Sequence, residues 1–135
     1  MQTETAMGQW GMADDRVPVL VVDDQAPFRR AARRVTAATP GFEVVGEAGT
    51  GEEAVELAES LSPRVVLMDI NMPGINGIEA TRRITAAHPG TVVILLSTYA
   101  ADELPGDAAT CGMAAYVNKE EFGPGVLQDI WARAG

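Results

Sequence analysis

Five short runs of apolar, largely β-branched residues punctuate this 135-residue chain, and a stretch of helical period separates most of them from the next. The runs are "VPVLVV" (Val17 to Val22), "FEVVGEA" (Phe42 to Ala48), "RVVLM" (Arg64 to Met68), "TVVILL" (Thr91 to Leu96) and "AAYVN" (Ala114 to Asn118). Each has the length of a strand, and most are apolar nearly throughout. A strand that is apolar on both sides needs cover on both sides, which is the situation of a parallel sheet between two layers of helices. The expected fold class is therefore α/β, a doubly wound five-stranded parallel sheet in three α/β/α layers.

The intervening segments support this. Phe28, Ala31, Ala32 and Val35 fall at i, i+3, i+4 and i+7, with Arg29, Arg30, Arg33 and Arg34 on the outer face. Ala54, Leu57, Ala58 and Leu61 repeat that spacing behind Thr50 and Glu53, which have the form of a capping box. A third helix is expected from about Gly77 to a stop near Pro89. A fifth is expected from about Phe122, with Phe122, Val126 and Ile130 on one face. The fourth is expected to be short, late-starting or poorly ordered, because Pro105 and Gly106 suit only the first turn of a helix.

Composition narrows the function classes. The formal net charge of −9 argues against an electrostatic nucleic-acid binder. No apolar run approaches the ~20 residues of a membrane span, and the single Cys111 has no disulfide partner. Residues 1–16 lack the pattern of a secretion signal and read as a flexible arm carrying Trp10 and Met12 ahead of a domain over 17–135. The expected compartment is the cytoplasm, with no membrane partner.

In open parallel sheets the functional site lies beyond the carboxyl ends of the strands. There the sequence places Asp23 and Asp24 after strand one, Asp69 after strand three, Ser97 after strand four and Lys119 after strand five. Any one of these is an ordinary turn residue. Together, three clustered carboxylates cannot all stay ionised without a cation, and one lysine supplies a single charge. Mg²⁺, or Mn²⁺ in its place, would satisfy an all-oxygen donor set. A metal, an ammonium and a hydroxyl together are equipped for phosphate chemistry, with Asp69 the candidate nucleophile.

The segments "VLVVDDQ", "VVGEAGTGEEA", "VVLMDINMPGINGIEATRRI", "VVILLSTY" and "GMAAYVNK", in that order, resemble the receiver domain of two-component response regulators. The wording "EATRRI" and the non-proline residue after Lys119 are most similar to the NarL subfamily, with LuxR-type output. The resemblance implies a flavodoxin-like, CheY-like strand order of 2-1-3-4-5. It also implies that Asp69 is the phosphoacceptor for a sensor histidine kinase, promoting only its own phosphorylation and dephosphorylation. Mg²⁺ would be held by Asp23, Asp24, Asp69 and the backbone carbonyl of Asn71. Ser97 would be the switch hydroxyl, Tyr116 the switch aromatic and Lys119 the phosphate-contacting amine. Output would pass through the surface of helix four, strand five and helix five, by homodimerisation on phosphorylation and by DNA contact through a helix-turn-helix that these residues do not include.

A free-standing receiver acting through protein contacts and a non-phosphorylated pseudo-receiver are the alternatives. An aspartyl phosphatase would share the chemistry, but it wants a second carboxylate two residues after the nucleophile, where this chain has Asn71. Thr98, bulkier than the small residue often found there in the family, is expected to narrow the path of attacking water. His88 reads as a helix-end surface residue and Cys111 as a small buried hydrophobe. "GEAGTGEE" lacks the ending of a phosphate-binding loop. The arginine run reads as a solvated face, or as a docking surface for the kinase.

Overall fold

The computed structural model describes residues 16–99 and 103–134. The arm expected over residues 1–16, with Trp10 and Met12, lies outside the described residues except for Arg16.

Five parallel strands alternate with helices. They are β1 (Val17–Val22), β2 (Phe42–Ala48), β3 (Val65–Asp69), β4 (Val92–Ser97) and β5 (Ala115–Asn118). The helices are α1 (Ala26–Ala38), α2 (Gly51–Leu61), α3 (Gly77–Ala87) and α4 (Pro124–Ala134). The sheet order is β2-β1-β3-β4-β5, the expected 2-1-3-4-5. Side chains alternate across the sheet as the pleat requires. Leu20, Val22, Val66, Met68, Val93 and Leu95 pack with Ala54 and Ala58 of α2 and Ile78 and Ile84 of α3. Val19, Val21, Val65, Leu67, Ile94 and Leu96 form the other core with Ala32 of α1 and Leu127 and Ile130 of α4. A bulge lets β2 pass over Val45, so that Val19 pairs with Val44 and Leu20 with Gly46.

Local chemistry sets the helix boundaries. Thr50 accepts from the Glu53 N–H at the start of α2, and Asn76 accepts from the Glu79 N–H at the start of α3. The fourth expected helix is a five-residue 3₁₀ turn, Gly106–Thr110, with Pro105 just before it and Ala108 turned into the core. Proline biases the residue before it away from α geometry, and the glycine behind it is a weak helix former. The last helix begins at Pro124 instead of near Phe122, because Lys119–Glu121 forms a 3₁₀ turn capped by the Asn118 side chain.

Two expected faces are corrected. On α1 it is Thr36, with Ala32, that is buried, while Ala31 is exposed. The Thr36 hydroxyl donates to the Ala32 carbonyl at 2.9 Å, which satisfies it inside the core. Leu61 is 39% exposed, since it ends α2 over the sheet's edge strand, with its Cδ1 beside Gly46.

At the amino-terminal edge of the strands, a shallow cleft is lined by Ser62, Pro63, Arg64, His88, Pro89, Gly90 and Thr91. His88 lies there with Nε2 3.1 Å from Glu59 Oε1, a partly exposed helix-end residue as expected. Cys111 is buried, and its thiol donates to the Ala108 carbonyl.

Candidate functional site

All the reacting candidates sit at the opposite edge, at or one to two residues past a strand end. Asp23 leaves β1 with its N–H donating to the Ala48 carbonyl of β2 at 3.0 Å. Its Oδ1 accepts from the Gln25 N–H at 2.8 Å, and the side chain is buried while Asp24 is exposed. The Arg29 guanidinium of α1 donates to the Asp23 carbonyl at 2.6 Å and meets Glu47 of β2 at 3.4 Å. That contact fixes the turn carrying both acids.

Asp69 ends β3 and is 4% exposed. The chain then turns through Gly74, whose φ of 77° suits glycine, and returns so closely that a Cβ on Gly77 would overlap the Asp69 carbonyl oxygen. The Gly77 N–H donates to the Ile70 carbonyl at 2.8 Å, and Glu52 of α2 accepts from the Ile75 N–H at 3.2 Å. The return into α3 is tied down at Ile75 and Gly77.

Lys119, just past β5, brings its ammonium 2.7 Å from Asp23 Oδ2 and 3.3 Å from Asp69 Oδ1. The contact with Asp23 is an ion pair without hydrogen-bond alignment, and Asp23 Oδ2 has no hydrogen-bond partner among the described residues. Carboxylate oxygens of Asp23, Asp24 and Asp69 all lie within 4.8 Å of one another. Burial, and then the Asp23 charge, push the Asp69 carboxyl up from 3.8 to about 6, against the opposing pull of Lys119. Burial works against the Lys119 ammonium too, but its two carboxylate partners outweigh it and hold its pKa above the usual lysine value.

Ser97 ends β4, buried, with its Oγ accepting from the Tyr99 N–H at 3.3 Å. Tyr116 of β5 is half-buried, and its hydroxyl donates to the Ser97 carbonyl at 3.2 Å and to the Tyr99 carbonyl. The Asn71 side-chain amide lies 3.3 Å from the Tyr99 hydroxyl. Asp24, Gln25, Asp69, Asn71, Ser97, Thr98 and Lys119 line one cleft of about 160 Å³.

Residues 19–130 match the family described as the response regulator receiver domain. The chain belongs to that family. The receiver is 38% identical over 117 residues to the transcriptional regulatory protein DegU of Brevibacillus brevis, a match covering 87% of this chain and 50% of that protein. It is 40% identical over 103 residues to the response regulator UvrY of Escherichia coli, covering 76% and 47%. The chain thus spans about half the length of these relatives. Among solved structures it is similar to the receiver domain of NarL from Mycobacterium tuberculosis (TM-score 0.80, 28% identity, 89% and 97% covered). It is also similar to the response regulator domain of CheB from Thermotoga maritima (TM-score 0.79, 33% identity, 88% and 96% covered). Among the described residues no helix is long and apolar enough to cross a membrane.

The receiver's acidic group fits a hard divalent cation. Three carboxylates whose oxygens lie within 4.8 Å of one another supply only oxygen, and the one ammonium beside them, 2.7 Å from Asp23 Oδ2 and 3.3 Å from Asp69 Oδ1, offsets a single charge of the three. Reading the sequence found every one of the lining acids, Ser97 and Lys119. It missed the Arg29 contact with Asp23, the Tyr99 contact with Asn71, and Phe28, whose ring lies under the Lys119 ammonium. The nearest signal was the arginine run, where Arg29 and Arg33 prove to be paired with Glu47 while Arg30 and Arg34 face solvent.

Proposed function

We propose that this receiver takes a phosphoryl group onto Asp69 from the phosphohistidine of a sensor histidine kinase. The observation that carries the reading is the placement of the Asp69 carboxylate: buried, 3.3 Å from Lys119, and grouped with Asp23 and Asp24.

An Asp69 carboxylate oxygen attacks phosphorus, an acyl phosphate forms, and the bond from phosphorus to the histidine nitrogen breaks with its electron pair left on that nitrogen. Lys119 turns part of its charge from the two aspartates to a phosphoryl oxygen. Ser97 Oγ already accepts from the Tyr99 N–H, so its own O–H is free to donate to another. Asp23, Asp24, Asp69 and the Asn71 backbone carbonyl would hold Mg²⁺ or Mn²⁺, which when bound would supply positive charge for the phosphoryl oxygens. When Ser97 turns toward the phosphoryl group, the carbonyls that hold the Tyr116 hydroxyl move with it, and the ring follows. The surface of the Gly106–Thr110 turn, β5 and α4 changes as a result.

The reading is of a switch over residues 17–135, not a turnover enzyme. Asn71 stands where an aspartyl phosphatase would need a general acid. A relative named as a transcriptional regulatory protein, about twice as long, supports output in transcription; on this reading the output passes through a DNA-binding segment and a phosphorylation-dependent homodimer in the cytoplasm.

The test is intact mass after incubation with Mg²⁺ and acetyl phosphate. One added phosphoryl group is expected, absent without Mg²⁺ and absent in Asp69→Asn. No gain in the parent would favour the pseudo-receiver. Thr98 is exposed at the rim of the cleft. Thr98→Ala is expected to hasten loss of the phosphoryl group by opening the path of attacking water, and a rate no faster than the parent's would refute this.

A further inference from the structure

The Lys119 ammonium has three neighbours, of which the mechanism above uses two. The third is the face of the Phe28 ring, with its centroid 4.5 Å from Nζ. Phe28 stands in the first turn of α1, four residues after Asp24, where its N–H donates to the Gln25 carbonyl at 3.1 Å. Its ring packs against the core shared by α1 and α4, so its position is set by the sheet and not by the lysine. The Lys119 side chain is only 14% exposed, closed in by Asp23, Asp69 and this ring.

We propose that Phe28 is a positioning residue for Lys119, its π face holding the ammonium at the height of the Asp69 carboxylate during phosphoryl uptake. The inference rests on the phosphoacceptor reading. A lysine side chain is a flexible stem carrying a compact charge. Two carboxylates attract that charge, but both must share it with an incoming phosphoryl group. The ring does not compete for donor hydrogens in that way. Its negative face attracts the cation without directional demand, so it can hold the ammonium while the hydrogen bonds are exchanged. Leucine would fill similar space and lack this field. Tryptophan would keep it.

The experiment measures phosphoryl uptake from acetyl phosphate at saturating Mg²⁺ in the full chain. The variants are Phe28→Leu, Phe28→Trp and chains with mono-, di- and trifluorinated phenylalanine at position 28. Fluorination drains the ring's negative face with little change in shape. The rate constant is expected to fall stepwise along the fluorinated series, by about threefold to tenfold at its end. Phe28→Trp is expected to stay near the parent, and the fluorinated chains to keep its unfolding midpoint. In the resting protein, the Lys119 ε-methylene protons are expected at high field from the ring current, and to lose that shift in Phe28→Leu. A rate that is flat across the fluorinated series overturns the proposal, as does an ε-methylene resonance unchanged in a folded Phe28→Leu. A parent that takes up no phosphoryl group overturns the phosphoacceptor reading itself, and this is seen before any variant is compared.

Discussion

The β3–α3 and β4–β5 connections leave neighbouring strands at the same edge of the sheet, yet they are held very differently. After Asp69 the backbone doubles back against its own carbonyl, Glu52 reaches over from α2, Asn76 caps the next helix, and five residues of α3 are buried. Before β5, the described part of the connection contains one 3₁₀ turn and no α-helix; Ala108 and Cys111 are buried and the Thr85 hydroxyl of α3 donates to the Cys111 carbonyl at 3.2 Å, but a Cβ on Gly106 would meet nothing within 4 Å. The carboxylate proposed to react is thus clamped, while the described residues after the proposed switch hydroxyl form no α-helix and leave open space around Gly106. A switch needs that asymmetry: a fixed reactant and a part that can be redrawn around it at small cost.

The largest expected effect is on chemistry at the clamped side. Lys119→Ala should lower the rate of phosphoryl uptake on the order of a hundredfold, as loss of a charge-stabilising donor does elsewhere, while binding of Mg²⁺ to the acids persists. Rapid-quench mass measurements against the parent would check this, and a change of less than about threefold would remove Lys119 from the mechanism.

Gly77→Ala strikes the same connection through packing alone. Its methyl group must displace the backbone at Asp69, so unfolding in urea should show a loss of about 3 kcal/mol. Full stability in this variant would mean that the connection is looser than its geometry implies.

A smaller effect comes from the buried charge. Asp69 has a pKa of about 6 in the fold against 3.8 as the ordinary value. Between those limits the folded state holds more protons than the unfolded one, so stability rises as pH falls through 6 and levels off below 3.8. Relative to Asp69→Asn, the metal-free parent should gain about 1 kcal/mol between pH 7 and pH 5. Parallel urea titrations in EDTA would show it, and equal pH dependence in both proteins would mean that the carboxyl is not strained.

The smallest effect belongs to the other connection. Gly106→Ala should change stability by no more than about 0.5 kcal/mol, because the new methyl group enters open space. A loss as large as that of Gly77→Ala would erase the contrast.

What could be read in the sequence follows the same division. The strands were legible because a sheet covered on both faces leaves little choice of residue, as Val65 to Met68, all buried, illustrate. The strand-end acids, Ser97 and Lys119 were legible because parallel topology sends every carboxyl end to one edge. Thr36 was not, since a hydroxyl satisfied by its own helix is indistinguishable in sequence from one facing water. Nor was Leu61, whose exposure depends on its lying over the edge strand of the sheet. Phe28 under Lys119 and Tyr99 beside Asn71 join elements 91 and 28 residues apart, and no local pattern records such meetings.

The cleft at the amino-terminal edge, between Ser62 and Thr91, contains none of the residues assigned to the reaction. It therefore offers the experimenter a handle. A fluorophore or a surface tether attached at Gly90, whose Cβ would meet nothing within 4 Å, would report from the far side of the sheet. Such a probe could follow the molecule through repeated cycles of charging and discharge without entering the chemistry it is there to observe.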